Sequence, residues 1–151
     1  MKIRKARLKD AKEIAKLRKD TFKNINSKDY PKEHIKIFNK KNSLKNTLIK
    51  IKEKDMFCIV EKNKILGTVY LDNDLIGGLY VKHNIIRQGI GTKLLKFIED
   101  YARKKCIKNV KLFATKYGYP FYLKNKYRLI KKGFWTINNK KVIKYNMEKK
   151  L

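Results

Sequence analysis

Arg87, Gln88, Gly89, Ile90, Gly91 and Thr92 stand near the start of the segment NIIRQGIGTKLLKFIEDYARKK, in which apolar residues recur at helical spacing. Glycine inside a helix costs about 1 kcal/mol relative to alanine, so two glycines one residue apart at a helix start need a reason. Close approach of the backbone to an anion is such a reason. The first N–H groups of a helix lack internal acceptors, and the helix dipole is positive there. N–H groups from Gln88 to Thr92 would converge on a diphosphate, with the side chains of Arg87, Gln88 and Thr92 as further donors. Two common phosphate patterns do not fit. GxGxxG wants a small residue where Leu94 stands, and a P-loop wants lysine directly after its glycine, whereas Thr92 intervenes before Lys93.

These residues must be carried by a scaffold, and the chain supplies one in the order βααβββαβαββ. IRKARL predicts a first strand. Asp10 then stands at an N-cap, with Glu13 in the capping-box position, and Ala11, Ile14, Ala15, Leu17 and Phe22 fall on one helical face. Pro31 suits the first turn of a second helix, whose buried face would be Ile35, Phe38, Leu44 and Leu48. MFCIV, ILGTVYL and LIGGLYV are β-branched and aromatic runs separated by EKNK and DND, which predicts three consecutive antiparallel strands. After the opening glycines, Ile90, Leu94, Leu95, Ile98, Tyr101, Ala102 and Cys106 mark an apolar helix face, and VKLFA follows as a strand in a parallel crossover. A short helix around Pro120–Lys126 and a last hairpin turning at Asn138-Asn139 complete the order. Phe134 and Trp135 in that hairpin are expected in the core, with lining of an acceptor pocket as the alternative.

Composition bounds the function. The chain has 151 residues and is 42% hydrophobic, which suits a single folded domain over 1–151. Its N-terminus has no apolar stretch of signal-peptide type, and no run approaches a membrane span. Cys58 and Cys106 belong to no CxxC pair or Cys/His cluster, so both are expected as buried thiols in a reducing cytoplasm, with no metal. Lys and Arg number 41 against 13 Asp and Glu, a formal charge of +28. That charge predicts nonspecific affinity for polyanions or RNA at low salt. It is mostly lysine spread along the whole chain, however, whereas specific phosphate and base recognition favours clustered arginine.

From about residue 2 to 148 the chain resembles the GCN5-related N-acetyltransferases, the GNAT superfamily. The resemblance rests on VKHNIIRQGIGTKLLKFIEDYARKK, which reads like the family's [R/Q]-x-x-G-x-[G/A] strand–loop–helix with Gly89 and Gly91 at its small positions. It is supported by IRKARLKDAKEIAKL and by PFYLKNKYRLIKKGF, which resembles the family's FY-containing segment. It implies an α/β (α+β) fold, a mixed and mostly antiparallel twisted sheet of about seven strands flanked by about four helices. It also implies acetyl-CoA as cosubstrate, direct acetyl transfer to a primary amine, and a fourth strand splayed from the fifth. On that strand Leu79, Tyr80 and Val81 would offer main-chain groups to the pantetheine arm, with Gly77 and Gly78 suited to a bulge. Tyr122 matches the tyrosine that protonates the departing thiolate, with Tyr117 and Tyr119 nearby. Many members pair as homodimers, which leaves a dimer open to this chain.

Two positions depart from the pattern: Ile86 stands at the Arg/Gln position and Lys126 where a glycine is usual. No motif selects a general base among Glu61, Asp72 and Asp74, and His83 reads as a loop residue. The competing expectation is a protein that senses CoA, or binds nucleic acid, on the same scaffold without catalysis.

Overall fold

The computed structural model describes residues 1–151, the side chain of Ile137 excepted. In chain order the elements are β1 (Lys2–Lys5), α1 (Ala11–Thr21), α2 (Lys32–Lys41), α3 (Leu44–Glu53), β2 (Asp55–Glu61), β3 (Lys64–Asp72), β4 (Leu75–Val81), α4 (Ile90–Lys104), β5 (Asn109–Ala114), α5 (Tyr119–Lys124), β6 (Arg128–Ile137) and β7 (Lys140–Lys150). The seven strands form one sheet in the order β1-β2-β3-β4-β5-β7-β6. Only β4 and β5 run parallel, as the strand–helix–strand pattern requires.

The hairpins follow from their turn residues. Lys62-Asn63 and Asn138-Asn139 all hold positive φ, the backbone of a two-residue turn that matches strand twist. Five helices are present where about four were expected, because the predicted second helix is two. Ser43 divides them: its hydroxyl accepts the N–H of Asn46 at 3.3 Å and so caps a new helix. The expected apolar face breaks with it, and Leu44 is exposed.

The expected capping box at Asp10 and Glu13 is also replaced. The Asp10 carboxylate accepts from the Arg7 N–H at 2.7 Å and from Arg4 at 2.6 and 3.0 Å, so the chain is tied one turn earlier. Glu13 instead accepts the N–H of Ile65 at 2.8 Å, beside a bulge where β2 and β3 slip register.

Two apolar clusters lie on the two faces of the sheet. Ala11, Ile14 and Leu17 of α1 meet Met56, Cys58 and Val60 on one face. On the other, Ile90, Leu94, Leu95, Ile98 and Ala102 of α4 meet Val69, Leu71, Val110, Leu112 and Met147. One carboxylate enters the second cluster fully paired: Glu99 accepts from Tyr127 at 2.9 Å and from Lys149 at 2.8 Å. Cys58 is buried as expected, but Cys106 is exposed, since it lies past the end of α4 with φ +61 rather than on the apolar face. Phe134 is exposed and Trp135 half-buried, on opposite faces of β6. Among the described residues no helix is long and apolar enough to cross a membrane.

Candidate active site

β4 and β5 share one paired position, Leu75 with Lys111. Beyond it the strands part, and the β4 edge from Ile76 to Val81 has no strand partner on that side among the described residues. The side of β4 that faces this gap can be read from its pairing with β3. Tyr80 registers with Thr68, and the Lys82 N–H donates to Leu66 O at 2.9 Å, so the main-chain groups of 80 and 82 point to β3. Alternation along the strand turns those of Leu79 and Val81 to the gap. Tyr80 is therefore corrected: it offers its ring, not its backbone. The Val81 carbonyl is already taken by the Thr21 hydroxyl at 3.0 Å, which leaves its N–H.

A bulge does lie here, between the Tyr70–Gly77 and Thr68–Tyr80 pairs, with Gly78 and Leu79 opposite Val69 and Gly77 paired at its edge. Gly78 has φ +59, and a Cβ there would lie 2.5 Å from Arg18 Nη2 and 2.6 Å from the Tyr70 ring. A Cβ on Gly77 would meet the Tyr70 hydroxyl at 2.5 Å. The double glycine is thus required by a buried arginine and a tyrosine packed under the strand.

At the mouth of the gap the chain leaves β4, makes a short 3-10 turn over His83–Ile85 and enters α4 at Gly89. Gly89 is the N-cap with φ +76, and nothing lies within 4 Å of where a Cβ would be. Its glycine serves backbone conformation rather than space. A Cβ on Gly91 would sit 3.5 Å from the Phe121 ring, an ordinary contact, so a small residue suffices there. No N–H from Arg87 to Thr92 donates to a protein acceptor among the described residues, and the first intrahelical bond is Lys93 N–H to Gly89 O at 3.0 Å. Arg87, Gln88 and Thr92 are exposed around this free first turn, whereas Ile90 turns into the core. Ile86 is half-buried, and neighbouring Arg87 is the cation at the turn.

Tyr122 lies on α5. Its ring stands edge-on to Phe121 at 5.1 Å and to Tyr127 at 5.6 Å. Its hydroxyl has no protein partner, and burial raises its pKa above that of a free phenol, as it does for Tyr80, whose ionisation the Tyr122 phenol further opposes. The nearby alternatives are occupied or remote: Tyr119 stacks on Tyr145 at 4.1 Å, and Tyr117 is exposed. The three carboxylates considered as bases are all in ion pairs, Glu61 with the N-terminus, Asp72 with Lys54 and Asp74 with Lys111. His83 is exposed in its turn. Sequence reasoning missed Arg18 and Tyr70. The signal for Arg18 was available: it lies four residues after Ile14 and four before Phe22, inside the apolar stripe of α1.

The family model described as an acetyltransferase (GNAT) domain matches residues 26–151. The chain belongs to the GNAT family. Among solved structures, a GCN5-related N-acetyltransferase from Rhodopseudomonas palustris superposes with TM-score 0.91 at 18% identity, over 99% of this chain and 95% of that one. The PaiA N-acetyltransferase from Thermoplasma acidophilum, in complex with coenzyme A, gives 0.78 at 21% identity, over 99% and 98%. An aminoglycoside 6'-N-acetyltransferase complexed with coenzyme A gives 0.68 at 12% identity, over 99% and 97%. At these identities the likeness establishes the GNAT fold. A search of curated protein sequences found no match.

Proposed function

We propose that this GNAT chain is an acetyl-CoA-dependent N-acetyltransferase that passes the acetyl group directly to a primary amine. The observation that carries the reading is the meeting of two unpaired main-chain surfaces, the free first turn of α4 and the parted edge of β4, with the Tyr122 phenol beside them. The donor set suits the cosubstrate. N–H groups of Gln88, Gly89, Ile90, Gly91 and Thr92, with the Arg87 and Thr92 side chains, would hold the pyrophosphate. Leu79 and Val81 would pair with the amides of the pantetheine arm. When bound, acetyl-CoA supplies an acetyl group activated as a thioester.

The chain's own groups do the rest. The Leu79 N–H, fixed beside the Gly78 bulge, would donate to the thioester carbonyl oxygen and stabilise the negative charge that grows there. Tyr122, held protonated at neutral pH by its raised pKa, would donate its proton to the departing sulfur. With Glu61, Asp72 and Asp74 engaged, the acceptor ammonium would lose its proton to water.

The first test is thermal melting with acetyl-CoA at moderate salt, followed by thiol release from acetyl-CoA across an amine panel. Acetyl-CoA should raise the midpoint by mass action. Tyr122→Phe should bind it equally well and lose about a hundredfold in kcat. Equal turnover by that variant would remove Tyr122 from the mechanism, and no melting shift would remove the cosubstrate.

A second reading is favoured by the open face of β5, β6 and β7. There Lys144 Nζ stands 4.8 Å from the Phe113 ring and 5.8 Å from the Trp135 ring. Aromatic rings interleaved with lysine suit stacked bases on a polyanion, with or without catalysis.

A further inference from the structure

Behind the β4 bulge stands a charge that nothing neutralises. Arg18 is 1% exposed, and its contacts are to neutral groups at long range: Nε to Thr68 Oγ1 at 3.3 Å, Nη2 to Gly78 O at 3.5 Å and to Met56 Sδ at 3.8 Å. Guanidinium stays charged at any physiological pH, and a buried ion without a counter-ion is among the least favourable arrangements a core can hold. Burial draws its pKa below the ordinary arginine value.

The groups around it add positive charge. Lys54, over the Tyr70 ring at 4.9 Å, has its charge matched by Asp72 at 2.6 Å. Lys50 has no carboxylate partner; its Nζ donates to Lys41 O at 3.0 Å. Burial, then repulsion from Arg18, pushes its pKa down to about 8. In front of these cations lie two phenols, with Arg18 Cζ 5.9 Å from the Tyr70 ring centroid and 5.8 Å from that of Tyr80. Neither hydroxyl has a protein partner among the described residues and neither is sealed from solvent; both side chains are half-buried, and the Tyr70 hydroxyl lies alongside Gly77. Two unpartnered hydroxyls thus flank an unmatched guanidinium, next to the bulge that carries Leu79.

Resting on the acetyltransferase reading, we propose that the Tyr70 and Tyr80 hydroxyls, backed by Arg18 and Lys50, form a carboxylate subsite, and that the acceptor is a small amine that carries a carboxylate. The phenols donate hydrogen bonds to the carboxylate and the guanidinium balances its charge through the rings. The amine nitrogen forms the new C–N bond as the C–S bond breaks. The nitrogen gives up two protons to water, one before attack and one as the tetrahedral intermediate collapses; the sulfur takes one from Tyr122, which recovers it from solvent, so that one proton is released overall. A carboxylate is chosen over a phosphate because the space beneath the bulge is already filled by Tyr70, which leaves room for the smaller, planar anion.

The experiment compares amino acids with their carboxamides and with an aminoalkyl phosphate, by thiol release from acetyl-CoA and by thermal melting in the presence of CoA. The acid should exceed the carboxamide by roughly tenfold or more in kcat/KM, mainly through KM, the worth of a charge-assisted contact. That preference should shrink to within about threefold in Lys50→Met and in Tyr70→Phe, as removal of one such contact implies. These variants stand beside Arg18→Met in case that core change prevents folding. Equal use of acid and carboxamide by the wild-type protein overturns the subsite, as does a preference for the phosphate or a preference unchanged in both Lys50→Met and Tyr70→Phe. If acetyl-CoA binds and no amine is turned over, the melting shifts with CoA decide on the same criteria. If acetyl-CoA neither binds nor reacts, the acetyltransferase reading fails by itself, and the subsite is judged from shifts given by amino acids alone in wild-type protein and Lys50→Met.

Discussion

Lys126 holds φ +67 directly after α5, where its N–H donates to Leu123 O at 3.0 Å and the next N–H, of Tyr127, to Tyr122 O at 3.1 Å. That is a left-handed helix cap, the conformation for which glycine is the natural residue. An L side chain there costs roughly 1–2 kcal/mol, and glycine returns about half of that gain through its freer unfolded chain. Lys126→Gly should therefore stabilise the protein by about 0.5–1 kcal/mol and raise the melting midpoint by roughly 1–4 °C. A lower midpoint would mean that the lysine side chain has a compensating contact. The position departs from the GNAT pattern in residue type while its backbone follows it, so the sequence alone gave no view of the strain.

The start of α1 shows how an element is tied down and how pH enters. Hydrogen bonds from Arg4 hold the Asp10 carboxyl below the usual carboxylate range, against burial, which pushes it up, and the Arg7 N–H adds to the lowering. A depressed carboxyl contributes stability that is whole above its unfolded pKa of about 3.9 and is lost as pH falls through its lower folded value. Asp10→Asn should thus be less stable than wild type near pH 7, and the difference should shrink as pH drops below about 4, checked by urea unfolding at several pH values. A pH-independent difference would mean that the loss is packing. Elements of strong period were legible: the strands from Met56 to Val81, the α4 face and the closing hairpin stand where their alternation and turn residues put them. Ser43 was not read as a break because one cap residue inside an apolar pattern carries little weight until its hydroxyl is seen on Asn46 N–H. Around the candidate site, the place of Gly89 and Gly91 at the start of α4 and of Tyr122 on α5 was legible from a local motif. The phenols and Arg18 were not, since they meet only when β3, β4 and α1 pack, across fifty residues or more of chain.

At the scale of the molecule the deciding quantity is the charge of +28. Ion pairs such as Arg4 with Asp10 and Lys5 with Asp55 neutralise a minority of the cations. Exposed pairs contribute about 0–1 kcal/mol each and weaken in salt, whereas repulsion among the unmatched lysines acts over the whole surface at low salt. The screening length falls from roughly 30 Å at 0.01 M to about 8 Å at 0.15 M, so salt removes the long-range repulsion before it reaches close pairs. The melting midpoint should accordingly rise between those concentrations. A fall would mean that the ion pairs outweigh the repulsion. Heparin should raise the midpoint at the lower concentration and lose most of that effect at the higher one, because its binding releases counterions. On the acetyltransferase reading the shift given by acetyl-CoA should survive at 0.15 M, since its largest contacts would be the fixed N–H groups of Gln88 to Thr92 and the edge of β4. Loss of both shifts together would make the first turn of α4 a general polyanion site and favour the reading in which Phe113, Trp135 and Lys144 bind nucleic acid. Survival of the acetyl-CoA shift alone separates a cofactor cleft from the surface charge around it.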